Sequence, residues 1–322
     1  MLRLLAILLV TWPLLAQTPE YYKSVDRVTW VVDDLERVIQ GWEKLGMVRV
    51  ARRDKLDLLV TFRGQVTNAK VLSASGFLGD VRVDWIQPSG GRDAFAEFQK
   101  KHGSGVFSLI HRVPTAEMFE QELERLRGLG VSVLQSGERK TDAGTMRYAY
   151  MDTEPQGKYV LGLIHGPDEI PADAPAGRKI VQFAFTAHEL KPVSEYWAKL
   201  GLGAMAFNKS KLHDVEYWGK PIPLEELFGW QRGRKVVYEW IQPVTLPNVF
   251  DDHMKAYGEG VQHLGVNVPD MESAIAEWTR AGLKVSSSGG WGGKGSPGSG
   301  RFTYIDTESI GGVTTELLWQ FR

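Results

Sequence analysis

The sequence predicts an α+β protein in two homologous halves, each built from two βαβββ modules. Three observations carry that reading. Four segments recur in the same order at an almost constant spacing: WEKLG from Trp42 returns as WAKLG from Trp197, DWIQP from Asp84 as EWIQP from Glu239, GSGV from Gly103 as GEGV from Gly258, and RYAYMDTE from Arg147 as RFTYIDTE from Arg301. The first three pairs lie 155 residues apart and the fourth 154, a regularity that marks a duplication rather than chance. Within each half the plan repeats more weakly. Both VDRVTWVVDDLERVIQGWEKLG from Val25 and GVQHLGVNVPDMESAIAEWTRAGL from Gly260 run from an alternating strand through an Asp-bearing turn into an amphipathic helix that ends at glycine. Three short strands follow each helix, the last strongly apolar, as in VVYEWIQP and VTTELLW.

In chain order, Arg3 precedes an apolar run from Leu4 to Leu15, broken by Thr11 and Pro13, and Ala16 is a small residue suited to signal-peptidase cleavage. Residues 1–16 therefore read as a secretory signal, the run being short of the roughly 20 residues that span a bilayer. The mature protein is expected to be secreted or periplasmic and off the membrane. The first half occupies 25–166, with modules starting near Val25 and Val106. A linker at 167–177 carries Pro167, Pro171 and Pro175. The second half, 178–322, has modules starting near Ile180 and Val261. In the last module a helix is expected over 271–280, with Asp270 as N-cap and Gly282 as C-cap. Residues 207–234 read as a long connection carrying Trp218 and Trp230. The stretch 286–300, SSSGGWGGKGSPGSG, reads as a flap with Trp291 and Lys294 placed to close on a ligand. It is no phosphate loop, because Lys294 is followed by Gly295 and no helix start follows.

Composition narrows the function. At 322 residues, 43% apolar and 24% charged, the chain can bury two cores. A net charge of −1 gives no basic field to collect nucleic acid. There is no cysteine, hence no thiolate metal site, disulfide or lipidated cysteine.

The module plan, with WIQP closing a last strand before a short helix and G-x-G-V, resembles the vicinal oxygen chelate superfamily in its glyoxalase I and methylmalonyl-CoA epimerase branch. The resemblance covers nearly everything from Val25 to Arg322. It implies that two modules pair into a cup-shaped sheet around a metal, giving two cups here. The ligands would come from early in each first strand and the middle of each last strand. Carried onto the matching positions, these are Gln182, Glu239, His263 and Glu316, a set similar to that of one class of glyoxalase I. Their strand context agrees. Glu239 shares a face with Val237 and Ile241, Glu316 with Thr314 and Leu318, and His263 with Val261, Gly265 and Asn267. A carboxylate on a buried face needs a partner. Such oxygen and nitrogen donors suit one divalent ion: Zn, Ni, Co, Mn or Fe(II). Trp85, Trp240 and Leu317 are expected on the opposite face, under helices.

The first half offers an internal control. Arg27, Asp84, Ser108 and Gly162 stand at the equivalent positions, and arginine, serine and glycine cannot replace the ligands. That half is expected to be metal-free, with Arg27 and Asp84 paired. For the second half the resemblance implies proton-transfer chemistry of the lyase or isomerase kind on a small chelating oxo or hydroxy compound, with Glu316 as base and Glu239 beside it. Extradiol dioxygenation and non-catalytic binding of the bleomycin-resistance type are the other readings. Because the duplicated chain pairs its own modules, a monomer suffices, though a homodimer is equally compatible.

Overall fold

The computed structural model describes residues 18–141, 143–167, 178–209 and 211–321. The expected signal at 1–16 and linker residues 168–177 lie outside the described residues.

The first module comprises β1 (Arg27–Val31), α1 (Leu35–Lys44), β2 (Val48–Phe62), β3 (Gln65–Leu78) and β4 (Val81–Gly91), and α2 (Ala94–His102) leads onward. The second comprises β5 (Gly105–Arg112), α3 (Ala116–Gly128), β6 (Val133–Thr141), β7 (Gly144–Met151), α4 (Glu154–Gly157) and β8 (Val160–His165). The third has β9 (Ile180–Thr186), α5 (Leu190–Lys199), β10 (Ala206–Lys209), β11 (Leu212–Tyr217), β12 (Lys220–Pro221), β13 (Glu226–Arg232) and β14 (Val237–Pro243). After α6 (Val249–Tyr257), the fourth has β15 (Gly260–Asn267), α7 (Met271–Arg280), β16 (Val285–Trp291), β17 (Gly300–Ile305) and β18 (Thr314–Gln320).

The helices start where capping chemistry allows. Asp34, Thr115 and Asp270 each accept a hydrogen bond from the backbone N–H three residues on, at 3.0, 3.1 and 2.7 Å, satisfying one of the amides a helix leaves open. The last helix keeps its expected bounds. Ala281 is its C-cap, and Gly282 follows at φ +94°.

In the first half the strands close a barrel in the order β1-β4-β3-β2-β6-β7-β8-β5. The two modules meet where β1 runs antiparallel to β5. The second half keeps this plan about its β9–β15 seam but forms a ten-stranded open sheet, β10-β13-β14-β9-β15-β18-β17-β16-β11-β12. The difference arises in the third module. The long β2–β3 hairpin is continuous, whereas its counterpart splits: β10 stays beside β13, and β11 with β12 crosses to β16. Pro221 and Pro223 stand in the returning strand where the first half has Val66 and Asn68, and proline lacks the donor a central ladder requires. Two expectations are corrected here. Residues 207–234 carry most of β10 and all of β11, β12 and β13 rather than a bare connection, and the first part of the 286–300 stretch is β16, leaving 292–299 as a turn.

The outer sheet faces and their helices form one apolar core shared by both halves, including Trp42, Trp85, Trp197, Trp240 and Leu317. The contact between halves is itself duplicated. Trp42 Nε1 donates to Ile310 O (2.8 Å), and Trp197 Nε1 donates to Gly157 O (3.0 Å). Each tryptophan thus reaches from one half to the turn before the last strand of the other.

His111 on β5 is fully buried, with Nδ1 at 2.9 Å from Ser24 O and Nε2 without a hydrogen-bond partner. Burial pushes its pKa down to about 4, against the weaker opposing pull of the Ser24 and Tyr21 carbonyls and of Asp26. The unfolded chain, with an ordinary imidazole, binds this proton more readily. The stability contributed is complete above about pH 6.5 and is lost as pH falls toward 4. Urea denaturation should show a loss of roughly 2–3 kcal/mol from this group between pH 7 and 4.5. A His111→Gln variant should be less acid-sensitive by that amount, and equal sensitivity would refute the assignment.

Candidate metal centre

Four adjacent strands, β14-β9-β15-β18, bring the expected ligands together. Glu239 and His263 both pair in register with Ala184, while Gln182 and Glu316 both pair with Gly265. Gly265 is required here for space: a Cβ on it would lie 2.7 Å from the Gln182 Cβ. All four side chains are buried, with 8% exposure at Gln182, 6% at Glu239, none at His263 and 4% at Glu316. His263 Nε2 lies 3.3 Å from both Glu239 Oε2 and Glu316 Oε2. The Gln182 amide nitrogen lies 2.6 Å from Glu239 Oε2, 2.9 Å from Glu316 Oε2 and 3.2 Å from His263 Nε2. The imidazole is oriented from behind by Gln262, whose Oε1 is 2.6 Å from Nδ1, so Nε2 is the atom presented to the cluster.

The electrostatics of this cluster ask for a cation. Burial pushes the Glu239 carboxyl up, the nearby His263 holds it down, and the Glu316 charge raises it further, for a net rise. Burial works against a charged His263, but the Glu316 and Glu239 carboxylates outweigh it and lift the imidazole to about 9. Without a metal, then, a proton on His263 and the Gln182 NH₂ hold the two acids together. Rotating the amide by 180° would exchange its nitrogen for its oxygen. Two carboxylates, an imidazole nitrogen and an amide oxygen would then face one point, a donor set that fits a divalent ion. The donor atoms of Glu239, His263 and Glu316 already lie within 4.8 Å of one another.

The cluster opens on a cavity of about 640 Å³, within the range of small-molecule sites. Trp230, in register with Glu239, and Trp291, at the end of β16, line it. Trp218 and Lys294, also expected to face substrate, do not. Trp218 is 44% exposed on the β11–β12 turn at φ +49°, and Lys294 extends outward to Asp214 (3.4 Å).

One acid in this cavity escaped the sequence reading. Glu226, the first residue of β13, is 2% exposed, and burial pushes its carboxyl well above the usual range, with the Glu239 charge adding to the rise. The duplication carries the signal that could have found it: the equivalent residue of the first half is the buried Val71.

At the corresponding place in the first half, Arg27 Nη1 lies 3.4 Å from Asp84 Oδ2, and the Ser75 hydroxyl donates to Asp84 Oδ1 at 2.6 Å. The guanidinium thus stands at the repeat position that Gln182 holds in the second half, and the cavity there is only about 80 Å³.

A cup of paired βαβββ modules with a buried oxygen-and-nitrogen cluster on its central strands is the architecture of a metal-binding chelate fold. The chain belongs to the Glyoxalase/Bleomycin resistance protein/Dioxygenase superfamily, which it matches over residues 26–150 and 181–304. Searched against curated protein sequences, it finds no match. Its fold is similar to that of a mutant 4-hydroxymandelate synthase from Streptomyces coelicolor (TM-score 0.60, 14% identity, covering 94% of this chain and 93% of that one). It is also similar to BphC, a halotolerant catechol dioxygenase (TM-score 0.50, 10% identity, 92% and 86%). At such identities the likeness is one of fold.

Proposed function

We propose that this chain is an exported, divalent-metal-dependent enzyme that moves a proton on a small oxo or hydroxy compound, a lyase or isomerase acting in the second cup. The observation that carries this is the convergence of two carboxylates, an imidazole and an amide on one buried point at the wall of a cavity that can hold a small molecule. Gln182, Glu239, His263 and Glu316 would hold the ion, which when bound supplies Lewis-acid stabilisation to a developing enolate oxygen.

Glu316 takes the proton from carbon at its carboxylate oxygen. Glu239, across the cluster from it, is the second carboxylate within reach of the same substrate. Glu226, whose carboxyl burial pushes well above the usual range, stands on the wall of the same cavity as a further acid beside the cluster. Phe228, Phe250 and Tyr304 form apolar walls that exclude water from the enolate. The presence of a single histidine favours this reading over extradiol dioxygenation, which uses two histidines and one carboxylate.

The test is isotope exchange in deuterated water, with manganese- or nickel-loaded protein and a panel of 2-oxo and 2-hydroxy acids followed by NMR. Deuterium should enter at carbon, and a Glu316→Gln variant should be slowed by about 10²–10⁴-fold. Tight retention of a compound without exchange would make the protein a binding module, and oxygen uptake with a catechol would make it a dioxygenase. Export is tested by sequencing the N-terminus of the mature protein, which should begin at Gln17.

A further inference from the structure

Strands β5 and β15 carry a β-bulge at the same place in the repeat. Along β5 the pairing with β1 steps from Val106–Trp30 to Ser108–Thr29, and along β15 the pairing with β9 steps from Val261–Phe185 to His263–Ala184. Phe107 and Gln262 are the extra residues, 155 positions apart like most of the repeat. In an unbroken strand each would point away from its successor, whereas a bulge re-aims the side chain it carries. Phe107 accordingly packs with Phe95 and Tyr150 of the first cup, at ring distances of 5.4 and 5.0 Å. Gln262, fully buried, turns instead to the His263 ring, with Oε1 2.6 Å from Nδ1.

The amide comes at the expense of stability. Its Nε2 is buried and has no hydrogen-bond partner among the described residues, and an orphaned donor is destabilising. The first half, with Ser108 where His263 stands, has the apolar Phe107 instead. Glutamine and histidine thus enter the repeat together. Phe250 and Tyr304 pack around the imidazole at ring distances of 6.3 and 4.9 Å, but packing hardly distinguishes a ring from the same ring turned by 180°. An acceptor at Nδ1 does distinguish them. A protonated imidazole donates from both nitrogens, and one that ligates through Nε2 donates only from Nδ1. One setting of the Gln262 amide therefore serves both states.

We infer that Gln262 is a positioning residue of the second cup: set by the bulge, it holds a proton on His263 Nδ1 and aims Nε2 at the point where Gln182, Glu239 and Glu316 converge. The ion it serves rests on the proposed function; the hydrogen bond does not.

Two variants separate hydrogen bonding from packing. Gln262→Met keeps the length of the side chain and removes the acceptor, while Gln262→Glu keeps an acceptor oxygen, and both should match the parent in circular dichroism. Zinc affinity, measured by chelator competition, should fall about 10–100-fold in the methionine variant and be retained in the glutamate variant, since groups behind a ligating histidine contribute on that scale. The metal-free proteins, with isotope-labelled histidine side chains, supply a second reading by NMR. The Nδ1–H proton of His263, assigned by its loss in His263→Ala, should lie downfield and exchange slowly in the parent and in Gln262→Glu, and move upfield in Gln262→Met. That proton pattern in a parent that takes up no zinc would sustain the hold of Gln262 on the ring while overturning the metal reading. Equal zinc affinity in the parent and Gln262→Met, or an unmoved Nδ1–H resonance, would overturn the inference.

Discussion

Replacing His263 by alanine together with Glu316 by glutamine should strip the second cup of its metal. The parent protein is expected to bind one divalent ion per chain, and the double variant to bind it at least about 100-fold more weakly. Even residues behind a metal's ligands commonly contribute 10–100-fold, and here two ligands are lost. The electrostatics add a pH signature. In the metal-free protein the Glu316 and Glu239 carboxylates, prevailing over burial, lift His263 to about 9, so an ion entering at neutral pH must displace its proton. Apparent affinity should therefore rise with pH, by about tenfold per unit, up to about pH 9, and each ion bound should release a proton into weakly buffered solution. Metal analysis after gel filtration, with chelator competition at pH 6, 7 and 8, measures both. The same trace of metal in parent and variant would remove the basis for the centre. A site relocated to the first cup would appear instead as metal lost on altering Asp84, which the Arg27 guanidinium beside it argues against.

Trp197→Ala should destabilise the whole chain rather than one half. The indole is 1% exposed, lies 4.5 Å from the Tyr159 ring centroid in a stacked arrangement, and bonds to Gly157 O across the junction between halves. Truncating a buried aromatic of this size costs about 3–5 kcal/mol, and the lost hydrogen bond leaves the Gly157 carbonyl to find another partner. Gly157→Ala attacks the same contact from the other side, since its Cβ would fall 2.3 Å from the indole, and overpacking of that kind costs about 1–3 kcal/mol. Urea unfolding followed by tryptophan fluorescence and by circular dichroism should give coincident transitions in the parent and in both variants, each shifted to lower urea. Two separated transitions would mean that the halves are independent and that the shared core contributes little.

The metal position shows how far a repeat can be read without coordinates. Because the halves are related by a nearly fixed offset, each residue of one half comments on its partner in the other, and the change from Arg27, Ser108 and Gly162 to Gln182, His263 and Glu316 stands out. The same comparison of Glu226 with Val71 lay open as well. It went unused because an isolated acid near the start of a strand looks like any solvated residue until its burial is known.

What the sequence determined by itself was the duplication, the four strand–helix–strand modules and the Asp270 cap of the last helix, which follow from periodicity and local backbone chemistry acting over a few residues. The four side chains of the cluster were implied by the resemblance to the vicinal oxygen chelate superfamily, with the strand alternation agreeing. Only the tertiary structure decided that the third module's hairpin splits and crosses to β16, so that Lys211 and Trp291 line the cup while Trp218 and Lys294 stand outside it. That choice depends on which sheet edge satisfies the backbone donors left open around Pro221 and Pro223. Such pairing joins residues as far as 79 positions apart, as Leu212 with Trp291, and no local pattern specifies a partner at that distance.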